Sequence, residues 1–398
     1  MADTPTPDSF PPASSGPPPV NYVQLFVSLL AIVLIGTNIV TWFYFTHQQR
    51  VDSAPEPAKP VAIAPKADAT ALEGVTIDVA PPRPEYSITN AHDHLYMLKH
   101  LPKYLKAADE MGIKRTIFVA SSEFTFMGTS GDPEKLNDWS TEEILTASKN
   151  NPGKIVPFAT LHPNDTDKVA LLEDYVSRGV KGLKLYTGHS NFHDRSLDVP
   201  EMEPVYAYCE KVGLPMLWHV NMAKYTGELF AVLKKHPTLT IIVPHFGVGF
   251  WQPDGRVMHD VATMLDTYPN VYVDTSFGTR EILVGGLEKV NANVDFFKDF
   301  YEKYQDRIVW GTDMVVTGNR EKTEAWVESV IRVCRDLHEK DQYVYWMAAK
   351  GSGYAYGRGS NTYGVLRGLN LPDSILKKIY ETNIEKVLAA GPKTAPGT

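Results

Sequence analysis

The chain has 398 residues, 43% of them hydrophobic, and a formal net charge of −8 at pH 7. Its length admits two or three average domains or one large barrel. The acidic balance without a long basic run argues against a nucleic-acid surface, and two cysteines, Cys209 and Cys334, offer neither metal-ligand spacing nor a disulfide framework.

Residues 1–20 are rich in Pro, Ser and Ala and read as a disordered tail. Residues 21–45, NYVQLFVSLLAIVLIGTNIVTWFYF, carry no charge, and none occurs between Asp8 and Arg50. Such a run is expected to cross a hydrocarbon core of about 30 Å as one transmembrane helix, with Tyr22, Trp42 and Tyr44 at interfacial depths. The cationic start, short apolar core and cleavage site of a signal peptide are not evident. Residues 46–85 form a Pro/Ala-rich linker, extended rather than helical. Arg50, Lys59 and Lys66 favour a cytoplasmic body, whereas the stalk-like linker favours the outer face. The expectation is a membrane protein with a single-pass N-terminal anchor and an extracytoplasmic body.

From residue 86 to 392 short apolar runs alternate with stretches of helical period. The runs are YSITNAH, RTIFVAS, KIVPFAT, VKGLKLY, PMLWHV, LTIIVPH, NVYVDTS and RIVWGTD. Between them lie segments such as TDKVALLEDYVSRG and GELFAVLKKHP, several stopped by Gly or Pro. Continuous apolar strands alternating with amphipathic helices imply a parallel sheet covered by helices, and this size fits a (β/α)8 TIM-type barrel. A doubly wound open sheet is the alternative. It would normally carry a Gly-rich phosphate loop after its first strand, where TNAHDHLY stands.

Active sites on such barrels use the C-terminal ends of strands. The first strand ends in His92 and His94, two apart and therefore on one face. The fourth carries Lys184 and Tyr186, the fifth ends at His219, the sixth at His245 and the eighth at Asp313. Each has a structural explanation by itself: His219 as a satisfied core histidine, Asp313 as a helix cap. Their convergence on one barrel mouth points to a metal site.

These motifs in this order resemble the amidohydrolase superfamily, in its amidohydrolase-related branch of metal-dependent hydrolases and nonoxidative decarboxylases. The resemblance covers residues 86 to about 390 through the His92/His94 pair, GVKGLKLYTG, GLPMLWHV, IIVPHFG, IVWGTDM and the closing LNLPDSILKKIYETNIEKVLA. It implies His92, His94, His219 and Asp313 as ligands of one divalent metal, most simply Zn2+, with His245 and Asp313 catalytic. Zinc accepts such nitrogen and oxygen donors and lowers the pKa of bound water to about 7. Elsewhere in the superfamily a lysine on the fourth strand is carboxylated and bridges two metals. Lys184 would then hold a second metal; otherwise it is an inner-layer cation or contacts a substrate carboxylate.

Tyr186, Trp218, His189 and Arg280 are candidates for substrate contact, and Arg280 would clamp a carboxylate. Residues 350–368, rich in Gly and Tyr, read as a lid or a long connection. The expected function is metal-dependent hydrolysis of an ester, lactone or amide in a small, optionally carboxylated molecule. Alternatives are a decarboxylase or hydratase acting on an aromatic-derived acid, and an inactive membrane-tethered binding protein. The small-molecule substrate and the membrane are the expected partners, nucleic acid is not, and a homo-oligomer is compatible with the sequence.

Overall fold

The computed structural model describes residues 86–127, 138–189, 193–251, 255–278, 281–320, 322–345 and 364–391. The main sheet is parallel throughout. Its strands are β1 (Ile88–Leu95), β2 (Ile113–Val119), β3 (Ile155–Thr160), β4 (Gly182–Leu185), β5 (Met216–Trp218), β6 (Ile241–Val243), β7 (Val271–Asp274), β8 (Ile308–Val309) and β9 (Met314–Val316). Spatial order follows chain order from β1 to β8, and β9 lies on the free side of β1.

β8 and β9 are two halves of one segment interrupted at residues 310–313. The first half pairs with β7, Val273 opposite Ile308, and the second with β1, Asp93 opposite Met314. Between them Ala91 N donates to Trp310 O at 2.9 Å. One broken strand thus closes the ring, and the architecture is a TIM-type barrel.

Alternation along the strands sorts the apolar residues into two layers. Ala91, Ile117, Phe158, Leu217, Ile242 and Val309 fill the barrel interior, with Ile384 and Val387 of the last helix joining them. Flanking residues such as Met216, Trp218, Ile241 and Val243 pack outward against the helices. Inside, the Phe158 ring takes the space a side chain at Gly182 would need: a Cβ there would stand 2.4 Å from it.

The helices follow the amphipathic spacing read from the sequence. Helix Arg256–Thr267 buries Val257, Met258, Val261, Met264 and Leu265 on one stripe. Each such side chain contributes about 1.5–3 kcal/mol on full burial. Helix Glu203–Val212 stops at Gly213, whose φ of 72° is left-handed and therefore favours glycine. Asn221 caps helix Met222–Lys235, its side chain accepting from Ala223 N at 3.1 Å, so the chain turns immediately after β5. A separate antiparallel hairpin, β10 (Gln342–Tyr345) with β11 (Gly364–Arg367), lies outside the ring.

The membrane localisation expected from the sequence is corrected here. No helix among the described residues is long and apolar enough to cross a membrane. The longest, Glu324–Glu339, has 16 residues and bears charge along its length. It reaches about 24 Å at 1.5 Å per residue. That falls short of the ~30 Å hydrocarbon core. The expected span 21–45, the tail 1–20 and the linker 46–85 lie outside the described residues, as does most of the expected lid 350–368.

Candidate metal centre

The centre begins with an irregularity in β1. From Asn90 to Asp93 this strand advances one residue more than its partner β2 does from Thr116 to Phe118. Such a bulge re-aims side chains at a strand end. His92 and His94 are turned into the mouth, while Asp93 turns back and accepts from Asn90 Nδ2 at 2.7 Å, Thr312 Oγ1 at 2.6 Å and Met314 N at 2.7 Å. Asp93 ties β1 to the broken eighth strand and lies behind the centre.

Asp313 occupies the break in that strand. Its φ of 54° is left-handed, and its N donates to His92 O at 2.6 Å. This conformation carries the carboxylate to the histidines: Oδ1 lies 2.7 Å from His94 Nε2 and 3.3 Å from His92 Nε2. Ligand atoms of His92, His94 and Asp313 all fall within 4.8 Å of one another.

The opposite ring nitrogens are also engaged. His92 Nδ1 donates to Asp274 Oδ2 at 2.8 Å. His94 Nδ1 bonds Ser121 Oγ, which in turn donates to Val119 O at 3.3 Å. Fixing Nδ1–H in this way leaves both Nε2 lone pairs directed at one point, the arrangement that orients metal-binding imidazoles. Asp274, at the end of β7, is a hub. Its Oδ1 accepts from His245 N at 2.9 Å, Ser276 N at 3.0 Å and Ser276 Oγ at 2.6 Å.

His245 starts a run of four left-handed residues, with φ of 58°, 51°, 64° and 66° through Val248. Left-handed backbone costs non-glycine residues roughly 1–2 kcal/mol each. Here the Asp274 contact and the following turn hold it. His245 Nδ1 donates to Ser276 O at 2.8 Å, and Nε2 points at Asp313 Oδ2, 3.5 Å away. Its ring stacks on His92 with centroids 5.5 Å apart.

Electrostatics suit a cation. Burial, reinforced by the Lys184 ammonium, lowers His92 to about 4, and burial lowers His94 and His219 as well. These rings are therefore neutral at pH 7. Burial alone would raise Asp313, but the surrounding imidazoles outweigh it and hold the carboxyl well below its ordinary range. Neutral nitrogens beside an ionised oxygen form a fitting donor set for zinc-like ions.

The remaining candidates separate. His219 lies across the mouth, its ring 5.0 Å from His245 and 4.0 Å from His189, outside the tight group of three. Lys184 is buried inside the ring with Nζ 3.3 Å from His92 Nε2, and burial lowers it to about 8. Tyr186 is a support for His94: its hydroxyl contacts Ser121 Oγ at 2.9 Å and donates to Ala120 O at 3.2 Å. Trp218 as a substrate contact is corrected. Leu217 faces inward, so Trp218 faces the helix layer, fully buried against Tyr206 at 5.1 Å with Nε1 donating to Thr187 O at 2.9 Å. Arg280 lies outside the described residues.

Reasoning from the sequence passed over Asp274, Ser276 and Ser121. Asp274 had a signal, since a carboxylate closes the seventh strand with the same parity as the inward Tyr272. The serines had none, because short hydroxyl residues end many strands.

Residues 129–389 match the family model described as Amidohydrolase. His92 and His94 precede that stretch. No curated protein matches the sequence. Among solved structures, a Pseudomonas putida protein provisionally named 2-pyrone-4,6-dicarboxylic acid hydrolase is 15% identical, with a TM-score of 0.50 over 77% of this chain and 98% of that one. A 5-carboxyvanillate decarboxylase from Sphingomonas paucimobilis is 13% identical, with a TM-score of 0.43 over 77% and 99%. A zinc-bound amidohydrolase from Burkholderia multivorans is 10% identical, with a TM-score of 0.49 over 76% and 99%. The first of these supports the barrel fold. The family match spans well over half of the chain, from before β3 to the last helix, and the chain is therefore an enzyme of the amidohydrolase family.

Proposed function

We propose that the protein is a metal-dependent hydrolase that cleaves an ester, lactone or amide bond in a small organic molecule. The observation that carries this reading is the convergence of His92 Nε2, His94 Nε2 and Asp313 Oδ1, with the far nitrogen of each ring already anchored. One divalent ion, most simply Zn2+, would be held by these atoms, with His219 as a further candidate ligand. A bound ion of this kind acidifies water and polarises a carbonyl oxygen.

The chain's own groups would carry the proton. Asp313, ionised and only 18% exposed, accepts it from the attacking water through Oδ2. His245 is the next station, with Nε2 3.5 Å from that oxygen and Nδ1–H fixed on Ser276 O, so a proton delivered to Nε2 is directed at the leaving group. Buried Lys184 serves as a single-metal neighbour: its ammonium and a metal compete for the same His92 lone pair, so Nζ must withdraw or deprotonate when the ion is held.

The test is elemental analysis of the purified full chain, followed by a panel of lactones, aryl esters, amides and hydroxybenzoic acids. Hydrolysis dependent on one ion per chain is the expected result. Turnover of the acids alone, with release of CO2, would replace the hydrolase by the decarboxylase reading. Two ions per chain, one lost in Lys184→Ala, would replace the single-metal arrangement.

A further inference from the structure

Beside the metal centre, on the β1 and β9 side of the mouth, lies a cavity of 840 Å³ that the chemistry above does not use. It is built from the residues just beyond the candidate ligands: Tyr96 follows His94 by two positions and Val315 follows Asp313 by two. One flank is aromatic. Tyr96 and Phe126 have ring centroids 5.0 Å apart, Trp139 backs both at 5.7 Å, and the Phe126 ring meets His94 at 6.5 Å. Phe126 is therefore a wall shared with the metal centre.

The other flank is basic. Lys99, His100 and Lys322 line the cavity, and no carboxylate is among its described lining residues. The His100 ring is held between two surfaces. It stacks on Tyr96 at 6.3 Å with an interplanar angle of 13°, and it fills the space over Gly318, where a Cβ would stand 2.8 Å from the ring. Lys322 is buried, its Nζ donating to Val315 O and lying 5.3 Å over the Trp326 ring. Lys103 fastens the loop that carries it by donating to Thr317 O at 2.7 Å and to Lys322 O. After burial, the charges of Lys103 and Lys99 are what lower His100, an independent sign of a cationic surround. The nearby acid Glu143 is turned to the backbone, accepting from Leu98 N at 2.6 Å.

We propose that this cavity is a subsite for an oxyanion group, carboxylate or phosphate, carried by the substrate on an aromatic or apolar body that lies along Tyr96 and Phe126. It rests on the reading of the neighbouring centre as the place of reaction, and it gives that site a direction. The scissile bond lies at the metal, and the anionic end lies toward Lys99, His100 and Lys322. Aromatic walls beside lysine ammonium groups, with no acid among the described lining residues, select such a ligand over a neutral or cationic one of equal size.

The experiment is a 19F NMR titration of the metal-loaded full chain with 4-fluorophenylacetate, 4-fluorophenyl phosphate and 4-fluorobenzyl alcohol. At least one anion should bind about tenfold or more tightly than the alcohol, and the Lys99→Ala/His100→Ala variant should erase most of that difference while leaving the alcohol's affinity within about twofold. The anion that loses more identifies the group the subsite takes. Equal binding of anions and alcohol would overturn the proposal. So would anion binding that survives the double variant but disappears on chelation, which would put the anion on the metal. Binding is read without turnover, so charge-selective binding in a chain inactive on the whole panel would keep the subsite and reject the reaction. Turnover without charge selectivity would do the reverse.

Discussion

The two sides of the barrel mouth are built to different standards. On the β1 side each candidate ligand ring has both nitrogens accounted for: His92 between Asp274 and Asp313, His94 between Ser121 and Asp313. On the β5 side His219 meets His189 and His245 through ring contacts. The first side is preorganised in its ring anchoring, and only Lys184 Nζ, 3.3 Å from His92 Nε2, must give way to a cation there. On the second side His219 lacks such anchoring hydrogen bonds on its ring nitrogens among the described residues. The two halves of the mouth are thus held to different degrees.

The sharpest way to break the anchored half is His94→Ala. Metal content should fall to background by elemental analysis, and activity should disappear with it. A variant that keeps its metal would show that the β1 side is not where the ion is held. His245→Ala comes next, because its ring faces the centre without belonging to the tight group. Turnover should fall by roughly 10²–10⁴-fold, the usual range for a positioned acid–base group, with metal content near that of the parent chain.

Asp274→Asn tests the anchoring itself. Losing the carboxylate behind His92 should weaken metal affinity or activity by about 10–100-fold, measured by competition with a chelator. His219→Ala belongs to the other half, and because that ring lies outside the tight group of three, its effect should be the smaller of the two. A larger loss from His219→Ala would invert the comparison. The smallest expected effect is that of Trp218→Phe. Removing the Nε1–H bond to Thr187 O should cost about 0.5–1.5 kcal/mol in chemical denaturation and leave KM unchanged.

Much of the barrel could be read from residue order, because buried parallel strands are continuous apolar runs bounded by turn residues. All eight runs named from the sequence contain strand residues of the sheet. What could not be read was local backbone geometry. RIVWGTD looked like one strand ending at an aspartate, yet the chain breaks at residues 310–313 and resumes as β9. The left-handed φ of Asp313 and the bulge in β1 arise from contacts between segments far apart in sequence, and no local pattern announces them. Trp218 was misjudged for a simpler reason. Adjacency to His219 suggested a shared site, whereas strand alternation sends neighbours to opposite faces. Arg280 and residues 21–45 lie outside what the structure describes.

The broken eighth strand has a consequence for the order in which the molecule is completed. His94 and Asp313 meet across 219 residues of chain, at the seam where the first and last strands of the ring join. A nascent chain lacking its final third would already contain both histidines and every early strand, yet it would have no complete cage. An ion bound at the seam acts as a clasp, and its binding energy is added to ring closure because only the closed form offers all the donors. Metal occupancy would therefore double as a record that synthesis and folding had both run to the end.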